Sequence, residues 1–542
     1  MQGVDAVVVG AGFGGLYMLY RLRELGLTVR VIEAGSGVGG TWYWNRYPGA
    51  RCDTETMQYS YSFSPELQQE WRWTEKFAGQ PEILAYANHV ADRFDLRRDI
   101  TFNTSVVSAT YDEEHDRWSV VTDADETIDS RFVFMATGCL STARVPDFPG
   151  MSSFNGRTYH TGHWPHEGVD FAGRRVAVIG TGSSAIQSIP MIAQQAKHVA
   201  VFQRTPNYSI PARNVPMTDD YERQWKSDYP ALRQQQKRTR TGILNGLNDV
   251  SAMAVSDDER QRQYEQRWLT GGTTFMASFN DLVTNKDSNH TAAEFVRQQI
   301  KATVRDPAVA ELLTPRDYPI GTKRICADTA YFETFNRDNV TLVDIRKAPI
   351  DRIVADGIVA AETTHAVDDI VFATGFDAMT GALLKVDIRG RGGVSLRDKW
   401  NAGPRAYLGI ATAGFPNLFM ITGPGSPSVL SNMIVSIEQH VEWLTDCIRH
   451  MQNCQMHVIE PTLAAEDAWV EHVNKAAHRT LYPSAASWYM GANIPGKPRV
   501  FMPYIGGVGR YREECDEIAA KGYEGFTLAP AGGAPVAAPR AL

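Results

Sequence analysis

The chain has 542 residues, 43% hydrophobic and 21% charged, with 54 basic against 62 acidic side chains and a net charge of −8. At roughly 100–200 residues per domain, this length implies two to four domains with a sizeable core. The mild acidity argues against a nucleic-acid protein or a membrane-surface binder, both of which carry basic patches. No apolar run approaches the ~18 residues needed to span a bilayer. The N-terminus enters a strand pattern at once, so no secretory leader is expected. Cys52, Cys139, Cys326, Cys447, Cys454 and Cys515 are scattered without a C-x-x-C pair. A disulfide scaffold, a zinc site and a dithiol centre are therefore not expected. These features predict a multi-domain cytoplasmic protein without a metal.

The first element is an apolar strand, Asp5–Val9, followed by a turn with Gly10, Gly12, Phe13, Gly14 and Gly15. Helix-period text over Leu16–Leu25 and a second strand, Thr28–Glu33, complete a βαβ unit. An all-apolar strand suits a parallel sheet covered on both faces. Further on, Phe132–Met135 runs into the tripeptide Ala136-Thr137-Gly138. The plan then repeats: strand Arg175–Ile179, the turn Gly180-Thr181-Gly182-Ser183-Ser184-Ala185, a helix to Ala193 and strand Val199–Phe202. Its later strand, Ile370–Ala373, ends in the same tripeptide, Ala373-Thr374-Gly375. Two interleaved copies of one plan predict an α/β fold with two Rossmann-like dinucleotide-binding domains.

Residues 1–140 and 381–528 are assigned to the first domain, and 141–214 with 316–380 to the second. Between 215 and 315 the text turns charged and helical, with capping boxes at Ser256–Glu259 and Thr291–Glu294. It reads as a helical insertion in the second domain, with Lys237–Arg240 as a solvated face. Residues 529–542 are rich in Ala, Pro and Gly and are expected to be disordered.

A glycine turn between strand and helix lets the backbone approach a pyrophosphate, whose charge sits on the helix N-terminal amides. Glu33 follows the first turn by about 20 residues, where a carboxylate binds ribose hydroxyls and repels a ribose phosphate. That site suits FAD or NAD. The second unit delivers Gln203-Arg204-Thr205 with no acid, and a guanidinium there suits a 2′-phosphate. Lys323, in Gly321-Thr322-Lys323-Arg324, is a second cation for the same phosphate. NADPH is thus inferred in the second domain and, by elimination, FAD in the first, with hydride passing to the flavin. The electron acceptor stays open between oxygen and a protein partner; no cysteine pair supports a disulfide.

Two longer motifs bear on that choice. Phe154-Asn-Gly156-Arg-Thr-Tyr-His160-Thr-Gly-His-Trp164-Pro165 fits F-x-G-x-x-x-H-x-x-x-W-[PD] throughout, the fingerprint of type I Baeyer–Villiger monooxygenases. The stretch from Gly39 to Asp53, containing Gly40, Thr41 and Trp42, is similar to that family's other long motif. From residue 1 to about 528 the chain resembles the phenylacetone and steroid monooxygenase branch. The resemblance implies an FAD-, NADPH- and oxygen-dependent enzyme that converts ketones to esters or lactones through a flavin peroxide, with sulfoxidation as a side activity. It implies that Arg324 stands beside the flavin as the catalytic cation, paired with Asp53, and that Trp488 covers the nicotinamide. Further FAD contacts are implied at Tyr59, Val106 and Met433, and further NADP contacts at Thr181, Ser183, Ser184, Gln187 and Thr205. Phe154, Gly156, His160 and Trp164 are expected to fix the interdomain hinge rather than carry protons. Cys139, Val429 and Leu430 are expected to face an apolar substrate pocket between the two domains and the insertion. No obligatory protein partner is implied. The rival readings are a nitrogen or sulfur monooxygenase and an NADPH-dependent reductase with a protein acceptor.

Overall fold

The computed structural model describes residues 3–533 and 536–537. Gly3–Val9 is the central strand of the larger sheet, parallel to Val29–Ile32 on one side and Thr127–Met135 on the other. Its residues from Ala6 to Val9 are buried, as expected where helices cover one face and a meander the other. Ile100–Thr101 extends the parallel part beyond Val29–Ile32. Val106–Asp112, Arg117–Thr122 and Thr127–Met135 form the antiparallel meander. Two strands return from late in the chain: Asp387–Arg389 pairs with the meander's edge and Leu418–Met420 pairs with Thr127–Met135.

The second sheet is wholly parallel, in the order Val340–Asp344, His198–Gln203, Arg175–Ile179, Asp369–Phe372, Arg157–His160. The fingerprint segment therefore begins as an edge strand of this sheet. Gly156 precedes it because a Cβ there would overlap the Asp368 carbonyl and press on the Phe154 ring.

The segment 215–315 is not one body. Helices Asp219–Ser227 and Tyr229–Arg238 place Trp225 and Tyr229 in the core of the first domain. Helices Asp257–Thr270 and Lys286–Thr303 place Tyr264, Phe295 and Val296 in the core of the second. The charged text concealed this division, since each helix shows the core only a few apolar residues. The disordered tail expected at 529–542 also needs correction: Ala529 ends the strand Phe526–Ala529, and Val536–Ala537 pairs with that strand. Residues 534–535 and 538–542 lie outside the described residues.

Candidate active site

The two glycine turns share one geometry. Gly10 and Gly180 have φ of +103° and +120°, a region that favours glycine because it lacks a Cβ. Each lies against the carbonyl of the Ala-Thr-Gly tripeptide: a Cβ on Gly10 would crowd the Ala136 oxygen, and one on Gly180 the Ala373 oxygen. After each turn a helix begins on a glycine, Gly12 before Phe13–Glu24 and Gly182 before Ser183–Gln195. Neither helix has a capping side chain or an acidic residue in its first turn. Elsewhere Ser64, Thr218, Ser256, Asn285, Asp306, Asn432 and Thr462 cap their helices through the side chain. Two uncapped helix starts leave amides for a phosphate. At the second turn the space is open, since a Cβ on Gly182 would meet nothing within 4 Å; at the first, Gly12 and Gly40 approach so closely that a Cβ on Gly40 would press on the Gly12 backbone. These features fit FAD at the first turn and NADP at the second.

The strand ends beyond the two turns differ. Glu33 is buried, and its carboxylate accepts the Ala11 amide at 2.6 Å and the Gly35 amide at 2.7 Å. Burial raises its pKa, partly offset by those two hydrogen bonds. Arg204, by contrast, is exposed. Lys323 lies over the Tyr318 ring, 4.3 Å from its centre, and its pKa is lowered by burial and then by the Arg204 charge. Thr181 Oγ1 donates to the Thr205 carbonyl at 2.6 Å, closing the turn onto the strand end. Ser183 and Ser184 are already engaged, with Cys326 Sγ at 3.1 Å and Thr161 Oγ1 at 3.1 Å. The Gln187 amide, expected at NADP, is occupied by the other domain: Tyr47 OH donates to its Oε1 at 2.8 Å and its Nε2 donates to the Arg51 carbonyl at 3.0 Å.

Asp53 and Arg324 come from different domains and form a bidentate pair. Arg324 Nη2 reaches both Asp53 oxygens at 2.7 and 2.6 Å, and Nε reaches Oδ2 at 3.1 Å. The Asp53 charge raises the arginine pKa further above its ordinary value, so the group is a permanent cation. Nη1 donates to the Val429 carbonyl at 2.8 Å, leaving an Nη1–H free of these partners. The Cys52 thiol beside the pair is pushed up to about 12, chiefly by burial and then by Asp53, so it stays protonated.

Trp42 is buried and donates through Nε1 to Tyr59 OH at 3.2 Å. Phe13 meets Tyr59 edge-on at 6.2 Å. Thr41 opens a short helix, Thr41–Trp44, and is exposed. Val106 starts a meander strand, and its side chain lies in an apolar cluster with Val7, Val9 and Ile32. Met433 opens the helix Met433–Asn453 and packs on the cluster that contains Cys139 and Val429. Leu430 and Trp488 pack on the same cluster, with Trp488 against Tyr489 at 4.2 Å between ring centres. Cys139 does not present a free thiol to a pocket: it is 7% exposed and its sulfur contacts the Thr422 carbonyl at 3.3 Å and Ser428 Oγ at 3.1 Å.

In the hinge, His160 Nδ1 accepts the Gly162 amide at 2.9 Å, so Nε2 carries the proton donated to the Arg144 carbonyl at 3.2 Å. Burial lowers its pKa to about 4. Trp164 is buried against Tyr159 and Phe171, and Phe154 packs beside Phe372 and Ile353. Residue patterning gave no sign of the Val429 carbonyl or of Tyr489, which is buried and lowered in acidity by its apolar surroundings. Adjacency to Trp488 is the one clue the order of residues offers for Tyr489. Among the described residues no group of His, Cys, Asp and Glu is placed to hold a metal, and no helix is long and apolar enough to cross a membrane.

A family model described as pyridine nucleotide-disulphide oxidoreductase matches residues 7–220. All six cysteines are unpaired thiols, so the kinship lies in the nucleotide folds. A Baeyer-Villiger monooxygenase of Pseudooceanicola batsensis is 45% identical over 96% of this chain and 95% of its own. A phenazine N-monooxygenase of Lysobacter antibioticus is 41% identical over 97% of each chain. Among solved structures, an oxidized steroid monooxygenase bound to NADP is 53% identical, with a TM-score of 0.94 over 97% of this chain and all of the other.

Proposed function

The chain belongs to the Baeyer–Villiger monooxygenases, FAD- and NADP-dependent flavoenzymes, and from that premise we propose how its own residues do the work. When bound, FAD and NADPH would supply the electrons that activate dioxygen, one atom of which enters the ester beside the ketone carbonyl while the other leaves as water. The protein's part is to hold two nucleotides, exclude water and stabilise negative charge. Phosphates rest on the uncapped helix starts at Gly12 and Gly182. Glu33 serves the flavin ribose, and Arg204 with Lys323 the 2′-phosphate. Trp488 covers the nicotinamide.

The observation that carries the reading is the cross-domain pair of Asp53 and Arg324. Asp53 holds the Nε–Nη2 edge of the guanidinium and the Val429 carbonyl takes one Nη1–H, so one Nη1–H is left to serve a developing anion. A fixed donor of this kind needs no reorganisation as charge develops, and removing one such donor costs about 10²–10³ in rate. The apolar cluster of Cys139, Val429, Tyr489, Phe501 and Met502 walls the site and suits ketones with apolar flanks. No protein acceptor is required. Six unpaired thiols suit a reducing compartment, and we place the enzyme in the cytoplasm.

Labelled dioxygen tests the reading. Purified enzyme, NADPH and a panel of cyclic, aryl and steroidal ketones should give ester or lactone with one labelled oxygen by mass spectrometry. Arg324→Ala should remain yellow and lose ester. Hydrogen peroxide as the sole product on every ketone would overturn the proposal in favour of a reductase. Similarity to the phenazine N-monooxygenase favours one second activity, heteroatom oxidation; sulfide and aromatic-amine substrates in the same assay should give sulfoxide or N-oxide as minor products.

A further inference from the structure

Non-glycine residues in the left-handed backbone region are uncommon and strained, so they persist only where their surroundings hold them. Three of them converge on one residue, Cys139. Met379, Thr422 and Ser428 have φ of +67°, +58° and +39°. The Met379 amide donates to the Cys139 carbonyl at 2.9 Å. The Cys139 thiol donates to the Thr422 carbonyl at 3.3 Å and lies 3.1 Å from Ser428 Oγ. Ser428 Oγ in turn donates to the same Thr422 carbonyl at 3.2 Å and lies 3.9 Å from Met379 Sδ. All four residues are buried. The next residue after Ser428 is Val429, whose carbonyl accepts Arg324 Nη1 at 2.8 Å.

We propose that Cys139 and Ser428 are positioning residues for Arg324: by pinning Ser428, the left-handed residue that opens the Ser428–Leu430 turn, they aim the Val429 carbonyl, which holds Nη1 of the guanidinium. Asp53 holds Nε and Nη2 but does not touch Nη1. The Val429 carbonyl holds that third nitrogen, and it is a backbone group that no side-chain substitution at position 429 replaces. The inference rests on Arg324 being the charge-stabilising group.

The experiment compares Cys139→Ala, Cys139→Ser, Ser428→Ala and Arg324→Ala, all purified with FAD bound. Ester formed per NADPH consumed is measured together with the NADP+ dissociation constant and the thermal midpoint. A crystal structure of Cys139→Ala gives the Arg324–Val429 distance. Cys139→Ala and Ser428→Ala should lose ester yield by about ten- to a hundredfold, the range a misplacement of up to ~1 Å produces. NADP+ affinity should stay within about twofold, and the Nη1–carbonyl distance should exceed ~3.5 Å. Cys139→Ser keeps the donor and should restore most of the yield. Should Cys139→Ala fail to fold, Ser428→Ala carries the same test. Ester yield within about twofold of wild type in either alanine variant, or parallel loss of NADP+ affinity, overturns the proposal. Full ester yield in Arg324→Ala would instead remove the reading on which it rests.

Discussion

The two nucleotide turns solve the same backbone problem and then diverge at two places, the strand end and the helix behind the turn. Gly10 and Gly180 both press on the carbonyl of an Ala-Thr-Gly tripeptide, and both helices start uncapped. The end of the second strand separates them: a buried carboxylate that braces its own loop in one, an exposed guanidinium in the other. The packing behind the turns differs as well. A Cβ on Gly15 would overlap the Gly10 carbonyl outright, whereas the second copy carries Ala185, which is buried without difficulty. At the helix start, then, the first turn is the tighter and the second the more accommodating. We propose that this suits a flavin that stays bound at the first and a nicotinamide nucleotide exchanged at each turnover at the second.

Gly15→Ala is the strongest way to break that comparison. It should destabilise the protein by roughly 4 kcal/mol or more and yield colourless material, while Ala185→Gly costs only about 1 kcal/mol. Flavin absorbance per chain and the urea midpoint measure both; a yellow Gly15→Ala protein with the wild-type midpoint would refute the tighter packing.

The second tripeptide carries the next contrast, because only it is tied to the hinge histidine. Thr374 Oγ1 lies 3.3 Å from His160 Nε2, and burial holds that ring's pKa near 4. A histidine depressed in the folded state takes up its proton only on unfolding. It therefore costs nothing above about pH 6.5, and stability falls as pH drops from there towards about 4, by up to about 3 kcal/mol. Thermal midpoints across that range should fall more steeply for wild type than for His160→Gln. Parallel curves would mean that His160 titrates as it would in water.

Arg204→Ala should weaken NADPH by about 1.5–3 kcal/mol and leave NADH nearly unchanged, the size of one charged hydrogen bond. Equal losses for both nucleotides would place the 2′-phosphate elsewhere. The smallest effect is expected at Lys323, a point charge beside the arginine's paired donors. Lys323→Gln should cost NADPH about 1 kcal/mol, read as a lower NADPH-to-NADH preference in equilibrium binding. A loss at Lys323 larger than that at Arg204 would reverse their ranking.

Much of this protein is legible in residue order because its demands are local. A glycine with positive φ, an apolar strand between two covered faces and an acid or arginine at a strand end each depend on a few neighbouring residues. The repeated plan, the nucleotide pair and the fingerprint at the edge of the second sheet were readable for that reason. Only the folded chain decided what depends on distant segments meeting: that residues 215–315 serve two different cores, that Gln187 is held by Tyr47 and Arg51, that Cys139 buttresses a wall, and that a carbonyl of residue 429 completes the grip on Arg324. A backbone carbonyl is the same at every position, so nothing in the order of side chains marks the one that will face a guanidinium.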